Sequence, residues 1–144
     1  MTSSRQHPLP LIILGHLWAA PLTALGYLVA VLSGARWVGW GRLGSAVFAS
    51  VGRGPAGLYF RLIPARAFTC GAVVVVLRPE ISGNARTMGH EFQHVAQMLA
   101  LGPLVPVAYA IASLVAVARG GNAYVDNWLE RDARAAGEAA EADR

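Results

Sequence analysis

At 144 residues the chain can form one domain with a real core but not two. Its residues are 55% apolar and only 14% charged, where an ordinary soluble domain carries roughly 25% charged residues, so the composition points to a membrane-associated protein. The net charge of +4 comes from singly spread arginines, with no Lys, no basic run and no aromatic–Arg interleaving, which argues against nucleic-acid binding.

Residues 1–8 form a polar N-terminus. From Leu9 to Leu32 there is no charge, and about 20 such residues suffice to span a bilayer. Membrane helices tolerate the Gly15, His16, Pro21 and Gly26 found there, so residues 9–33 read as a retained transmembrane helix. A buried core helix ranks second. A signal peptide ranks last, because the stretch exceeds the usual apolar length of about 7–15 residues and no A-x-A site follows. His16 reads as a satisfied core or headgroup-facing residue. Arg36, Arg42 and Arg53 follow the stretch and only Arg5 precedes it, which places the remainder on the cytoplasmic side.

Residues 34–66 read as a Gly-rich connector with interfacial Trp37 and Trp40. They hold no phosphate loop, since no G-x-x-x-x-G-K-[ST] occurs and the chain has no Lys. Cys70 is the only cysteine and reads as a small buried hydrophobe. Val73 to Val76, between Gly71 and Arg78-Pro79, predict a buried strand. Ser82 or Asn84 can then cap a helix over Ala85 to Leu101, which Gly102-Pro103 stops. Leu104 to Ala118 is a second uncharged helix, and a last one covers Val125 to Ala136. Residues 137–144 form a polar tail. The expected fold class is α+β, mostly helical, with a short β element before the central helix.

That central helix carries the chemistry. His90-Glu91-Phe92-Gln93-His94 is H-E-x-x-H, a pattern expected by chance only about 0.004 times in a chain of this length and composition. Residues four apart lie on one face of a helix, so both imidazoles can reach one zinc ion. Glu91 sits about 100° round the helix, too far aside to be a third ligand but able to take a proton from a water held on the metal. As an ordinary helix pair, His90 and His94 would leave polar groups costly to bury.

A third ligand must come from elsewhere. A Gly and a His at positions 97 and 100 would mark a metzincin, but Gln97 and Ala100 stand there. Downstream, Asp126, Glu130, Asp132, Glu138, Glu141 and Asp143 are the candidates. Glu130 is best placed, flanked by Trp128, Leu129 and Ala133, which can dock its helix into the core. A helix over Leu104 to Ala118 leads at most about 23 Å away, and residues 119–127 can return about 30 Å. A segment that crossed a bilayer straight through would keep Glu130 from His94, so Leu104 to Ala118 reads as a core or half-inserted helix. Tyr124 or Tyr109 can donate to an oxyanion, although packing alone accounts for either. Gln97 lies one turn beyond His94, near the site.

The H-E-x-x-H plus downstream Glu pattern resembles the gluzincins, the thermolysin-like clan of zinc peptidases. The stretch from Thr87 to Gln97 with Leu101-Gly102-Pro103-Leu104, and the later Ala123 to Ala133, resemble more closely a group of small bacterial proteins. These share an H-E-x-x-H-x-x-Q helix, a "GPL…P.Y" segment and an "AYxDNxxExxA" motif. The resemblance covers roughly residues 70–136. It implies a zincin-like metal-binding domain over 67–136 and a zinc-dependent peptidase of the bacterial inner membrane, acting on a peptide or protein, with Glu130 as third ligand. Thermolysin-like enzymes often carry an Asp four residues after the ligand Glu to orient a zinc histidine. Arg134 stands there, so that support must come from elsewhere, with Asp126, Asn127 and Asp132 as the candidates. The alternative is a non-catalytic membrane protein with a structural zinc site, marked by a fourth protein ligand.

Overall fold

The computed structural model describes residues 9–143; the polar N-terminus at 1–8, with Arg5 of the orientation argument, lies outside them. The fold is α+β, mostly helical with a small mixed sheet. The helices are α1 (Leu9–Trp18), α2 (Ala20–Leu32), α3 (Gly54–Leu62), α4 (Ala85–Leu101), α5 (Val105–Ala118) and α6 (Trp128–Ala142). The strands are β1 (Arg36–Trp40), β2 (Ala46–Ala49), β3 (Ala67–Cys70) and β4 (Val73–Val76), in spatial order β1-β2-β4-β3. β2 and β4 run parallel; the outer pairs are antiparallel.

The four valines of β4 are fully buried, as a continuous apolar run between two neighbouring strands requires. One end of the sheet is β3, and it packs against α4. β3 is the strand that borders the motif residues, while Val74 and Val76 of β4 pack beneath α4 with Met88, Val95 and Leu99. α4 runs over the expected span, and Asn84 is its cap: the Asn84 side chain accepts from Thr87 N at 2.8 Å.

Three expectations change. The apolar stretch from Leu9 to Leu32 is two helices bent by 68°, not one. Pro21 in the first turn of α2 explains the break: it has no N–H to donate and its ring collides with the carbonyl four residues back, at Leu17. Both halves pack on the fold, α1 on α4 and α2 on β3 and β4. A Cβ at Gly26 would lie 2.5 Å from the Cys70 carbonyl oxygen. Second, residues 34–66 hold β1, β2 and α3 and are not a plain connector. Third, the last helix starts at Trp128 and continues through the expected tail to Ala142.

That extension has a packing cause. α6 lies along α4 with small residues in the seam. A Cβ at Gly137 would sit 2.5 Å from the Arg86 carbonyl oxygen, and one at Gly89 would sit 2.6 Å from the Ala140 Cβ. Arg86 also pairs across the seam with Glu138 and Glu141, at 3.2 and 3.5 Å, exposed pairs of small worth. Gly137→Val is expected to push α6 off α4 and cost about 1–3 kcal/mol. Thermal unfolding reads this directly, and an unchanged midpoint would mean the seam is looser than described.

The run Ala85–Ala118, through a 3₁₀ turn at Gly102–Leu104, is long and apolar enough to cross a membrane, and its most apolar window is only 17% buried. α5 nonetheless stays tied to the fold. Asn127, fully buried, donates from Nδ2 to the Tyr109 carbonyl at 3.2 Å and to Ser113 Oγ at 3.0 Å. Its Oδ1 accepts from Leu129 N at 2.9 Å, capping α6. One side chain thus sets α5 and α6 together.

Candidate metal centre

Two elements bring the donors together. α4 stacks His90 and His94 one turn apart, and the α4–α6 seam turns Glu130 towards them. His90 Nε2 and His94 Nε2 are 3.1 Å apart. Glu130 Oε2 is 3.6 Å from His90 Nε2, and Glu130 Oε1 is 3.6 Å from His94 Nε2. Donors about 2.0–2.1 Å from a tetrahedral zinc ion stand about 3.4 Å from one another; the imidazole pair lies a little inside that spacing, and the two Glu130 oxygens, each facing a different histidine, a little outside it. Glu130 Oε2 is also buried with no hydrogen-bond partner. An orphaned carboxylate oxygen facing two converging imidazole nitrogens is costly unless a cation completes it. His90, His94 and Glu130 can therefore hold a metal ion.

At His90 the electrostatics agree with that use; at His94 they oppose it, because a raised pKa favours the protonated form that a bound metal must displace. Burial, then the neighbouring His94, lowers the His90 pKa to about 4, which keeps it neutral, as a ligand must be. Burial opposes the charged form of Glu130, but interaction with His94 and the Tyr109 hydroxyl outweighs it and lowers its pKa. At His94 burial is likewise outweighed, by Glu130 and Gln97, and the pKa rises. Tyr109 Oη donates to Glu130 Oε1 at 3.0 Å. Tyr109 therefore braces the acid side chain.

His94 is oriented by Gln97. The Gln97 Nε2 donates to the Leu129 carbonyl at 2.9 Å, which turns Oε1 to His94 Nδ1, also at 2.9 Å. Nδ1 must then carry the proton, leaving the Nε2 lone pair facing His90 and Glu130. Behind it, Asp132 Oδ2 accepts from Gln97 Nε2 at 3.3 Å and from Gln93 Nε2 at 2.5 Å. Of Asp126, Asn127 and Asp132, it is Asp132 that stands behind Gln97. Asp126 instead accepts from Asn122 N at 2.7 Å in the loop before α6, and Asn127 caps that helix. Arg134 donates to the Val125 carbonyl, holding the same loop. Gln97→Ala is expected to weaken metal binding by about 10–100-fold, read by competition with a chromophoric chelator. Unchanged affinity would mean that the tautomer is fixed some other way.

Glu91, almost fully buried, faces the same cavity from the side. The Thr69 hydroxyl of β3 donates to its Oε2 at 2.7 Å. Burial raises the Glu91 pKa, partly offset by that hydrogen bond. The cavity measures about 480 Å³ and is walled by α3, β3, α4, α5 and α6. Tyr124 lines it, with its pKa pushed up to about 12 by burial and then by Glu130. His16 lies elsewhere, with Nε2 on the Leu43 carbonyl at 2.8 Å. Cys70 donates to the Leu22 carbonyl at 3.2 Å.

Residues 56–100 match the family model of the eCIS core domain. The similarity covers under half of the chain. It takes in Thr69, His90, Glu91, His94 and Gln97 and stops before Tyr109 and Glu130. No curated protein and no solved structure matches the chain. The eCIS core domain match spans the motif residues, while the gluzincin resemblance rests on the motif pair alone.

Two residues of the site escape sequence reasoning. Thr69 carries no motif, and its role follows from β3 lying beside α4. Tyr59 reaches the cavity from α3, a helix that the Gly-rich composition of its region conceals.

Proposed function

We propose that this chain is a membrane-associated zinc metallopeptidase. The observation that carries the reading is the convergence of His90, His94 and Glu130 at near-tetrahedral spacings beside Glu91 in one cavity. Zinc, when bound, lowers the pKa of water to about 7 and polarises a carbonyl. His90, His94 and Glu130 would hold the ion, with Gln97 fixing His94 and Tyr109 fixing Glu130 in place. Glu91 Oε accepts the proton of the attacking water and returns it to the leaving amine, with Thr69 holding the carboxylate at the side of the site. Tyr124 lines the cavity as a donor for the developing oxyanion. The cavity is large enough for a stretch of peptide. A non-catalytic zinc site calls for a fourth protein ligand, and among the described residues the donor cluster is these three.

Membrane association is supported by exposed apolar side chains on α1, α2 and α5, among them Leu17, Leu28, Val31, Leu114 and Val117. The direct test is zinc-dependent cleavage of a mixed peptide library. The zinc-loaded chain is expected to cut, a chelator to stop it and added zinc to restore it. A fully loaded chain that cuts nothing would leave the structural-site alternative standing.

A further inference from the structure

The metal cavity has an apolar mouth. Ile63 and Tyr124 line the cavity, yet they are 45% and 54% exposed. Beside them Leu62 is 70% exposed, and Val125 is also open to solvent. The Leu62-Ile63-Pro64-Ala65 segment joins α3 to β3, and Ile63, Pro64 and Ala65 all line the cavity. It is a braced turn. Ile63 N donates to the Tyr59 carbonyl and Ala65 N to the Ile63 carbonyl, both at 2.8 Å, while Leu77 N fixes the Arg66 carbonyl at 2.8 Å. Exposed Arg61 and Arg66 bracket this apolar tip.

We infer that the loop from Arg61 to Arg66 docks the mouth of the metal cavity on an anionic lipid bilayer. Leu62 and Ile63 enter the acyl boundary and the two arginines meet headgroup phosphates, so the polypeptide reaching the site is one lying at the membrane surface. The inference deepens the peptidase reading and rests on it for the substrate class.

Charge selects the occupant. The tip itself carries Arg61 and Arg66 and no acid between them; Glu80 lies in the neighbouring cleft with Arg66 and Arg78. A second copy docked tip to tip by a two-fold axis would set Arg61 and Arg66 against their own counterparts. Anionic headgroups complement that charge, and an apolar tip between two cations is how a surface-lying segment binds them.

The test uses the full chain with a Cys70→Ser background, in which the serine can still donate to the Leu22 carbonyl. An environment-sensitive dye is placed at Ile63→Cys or, as a control on α6, at Glu138→Cys. Phosphatidylcholine vesicles with and without phosphatidylglycerol are the probes. The dye at 63 is expected to shift to the blue on phosphatidylglycerol vesicles and the dye at 138 to stay aqueous. Arg61→Glu with Arg66→Glu is expected to lower partitioning onto those vesicles by about tenfold or more. An aqueous dye at 63 on bound protein, or binding indifferent to phosphatidylglycerol and to the charge reversals, overturns the inference. Shielding of the dye that rises with protein concentration without lipid also overturns it, in favour of a second copy. Zinc content is measured on the same samples. Its loss would strike the metal reading while the vesicle result stood on its own.

Discussion

Glu91→Gln is expected to keep its zinc and lose hydrolysis by about 10²–10⁴-fold, the usual range for removing a general base. The substitution is nearly isosteric, so the buried side chain keeps its volume and its contact with Thr69. The amide can accept the Thr69 hydrogen bond through its oxygen but cannot take up a proton at neutral pH. Because Glu91 is not among the converging donors, elemental analysis should return the same zinc content as for the natural chain. Equal turnover of a cleavable peptide by both forms would refute the base. Loss of zinc from the variant would instead mean that Glu91 is a ligand.

His94→Ala is expected to abolish stoichiometric zinc. The effect should exceed the roughly 100-fold limit typical of supporting residues, because the substitution removes a donor outright. It also leaves Gln97 Oε1 without the Nδ1 proton it accepts. The fold should persist, since Ala is the strongest helix former and the position lies inside α4. Circular dichroism that is unchanged alongside zinc that is absent is the expected pair of readings. Full zinc occupancy in this variant would remove the site from consideration.

How legible this was in the sequence depends on the range of each signal. The α4 helix announces itself locally through Asn84 at one end and Gly102-Pro103 at the other, and four successive valines could hardly be anything but a buried strand. Glu130 was reachable because, of the six acids downstream, it sits among apolar neighbours. The bend at Ala19 was signalled by Pro21 but masked by an uninterrupted apolar run, which composition alone reads as one helix. β1 and β2 are four or five residues long in a Gly-rich setting, too short for alternation to stand out. Thr69 was out of reach, and Asp132 could be named only as one of three supports, for a different reason. Their roles exist only once β3 and α6 lie against α4, a packing fact that spacing along the chain does not encode.

X-ray absorption at the zinc edge of the metal-loaded chain tests the central claim most directly. Nitrogen and oxygen donors at about 2.0–2.1 Å, with the outer-shell scattering of two imidazoles, are the expected result. A sulfur donor at about 2.3 Å, for which Cys70 is the only thiol available, or a spectrum without imidazole scattering, would contradict the assignment of His90, His94 and Glu130.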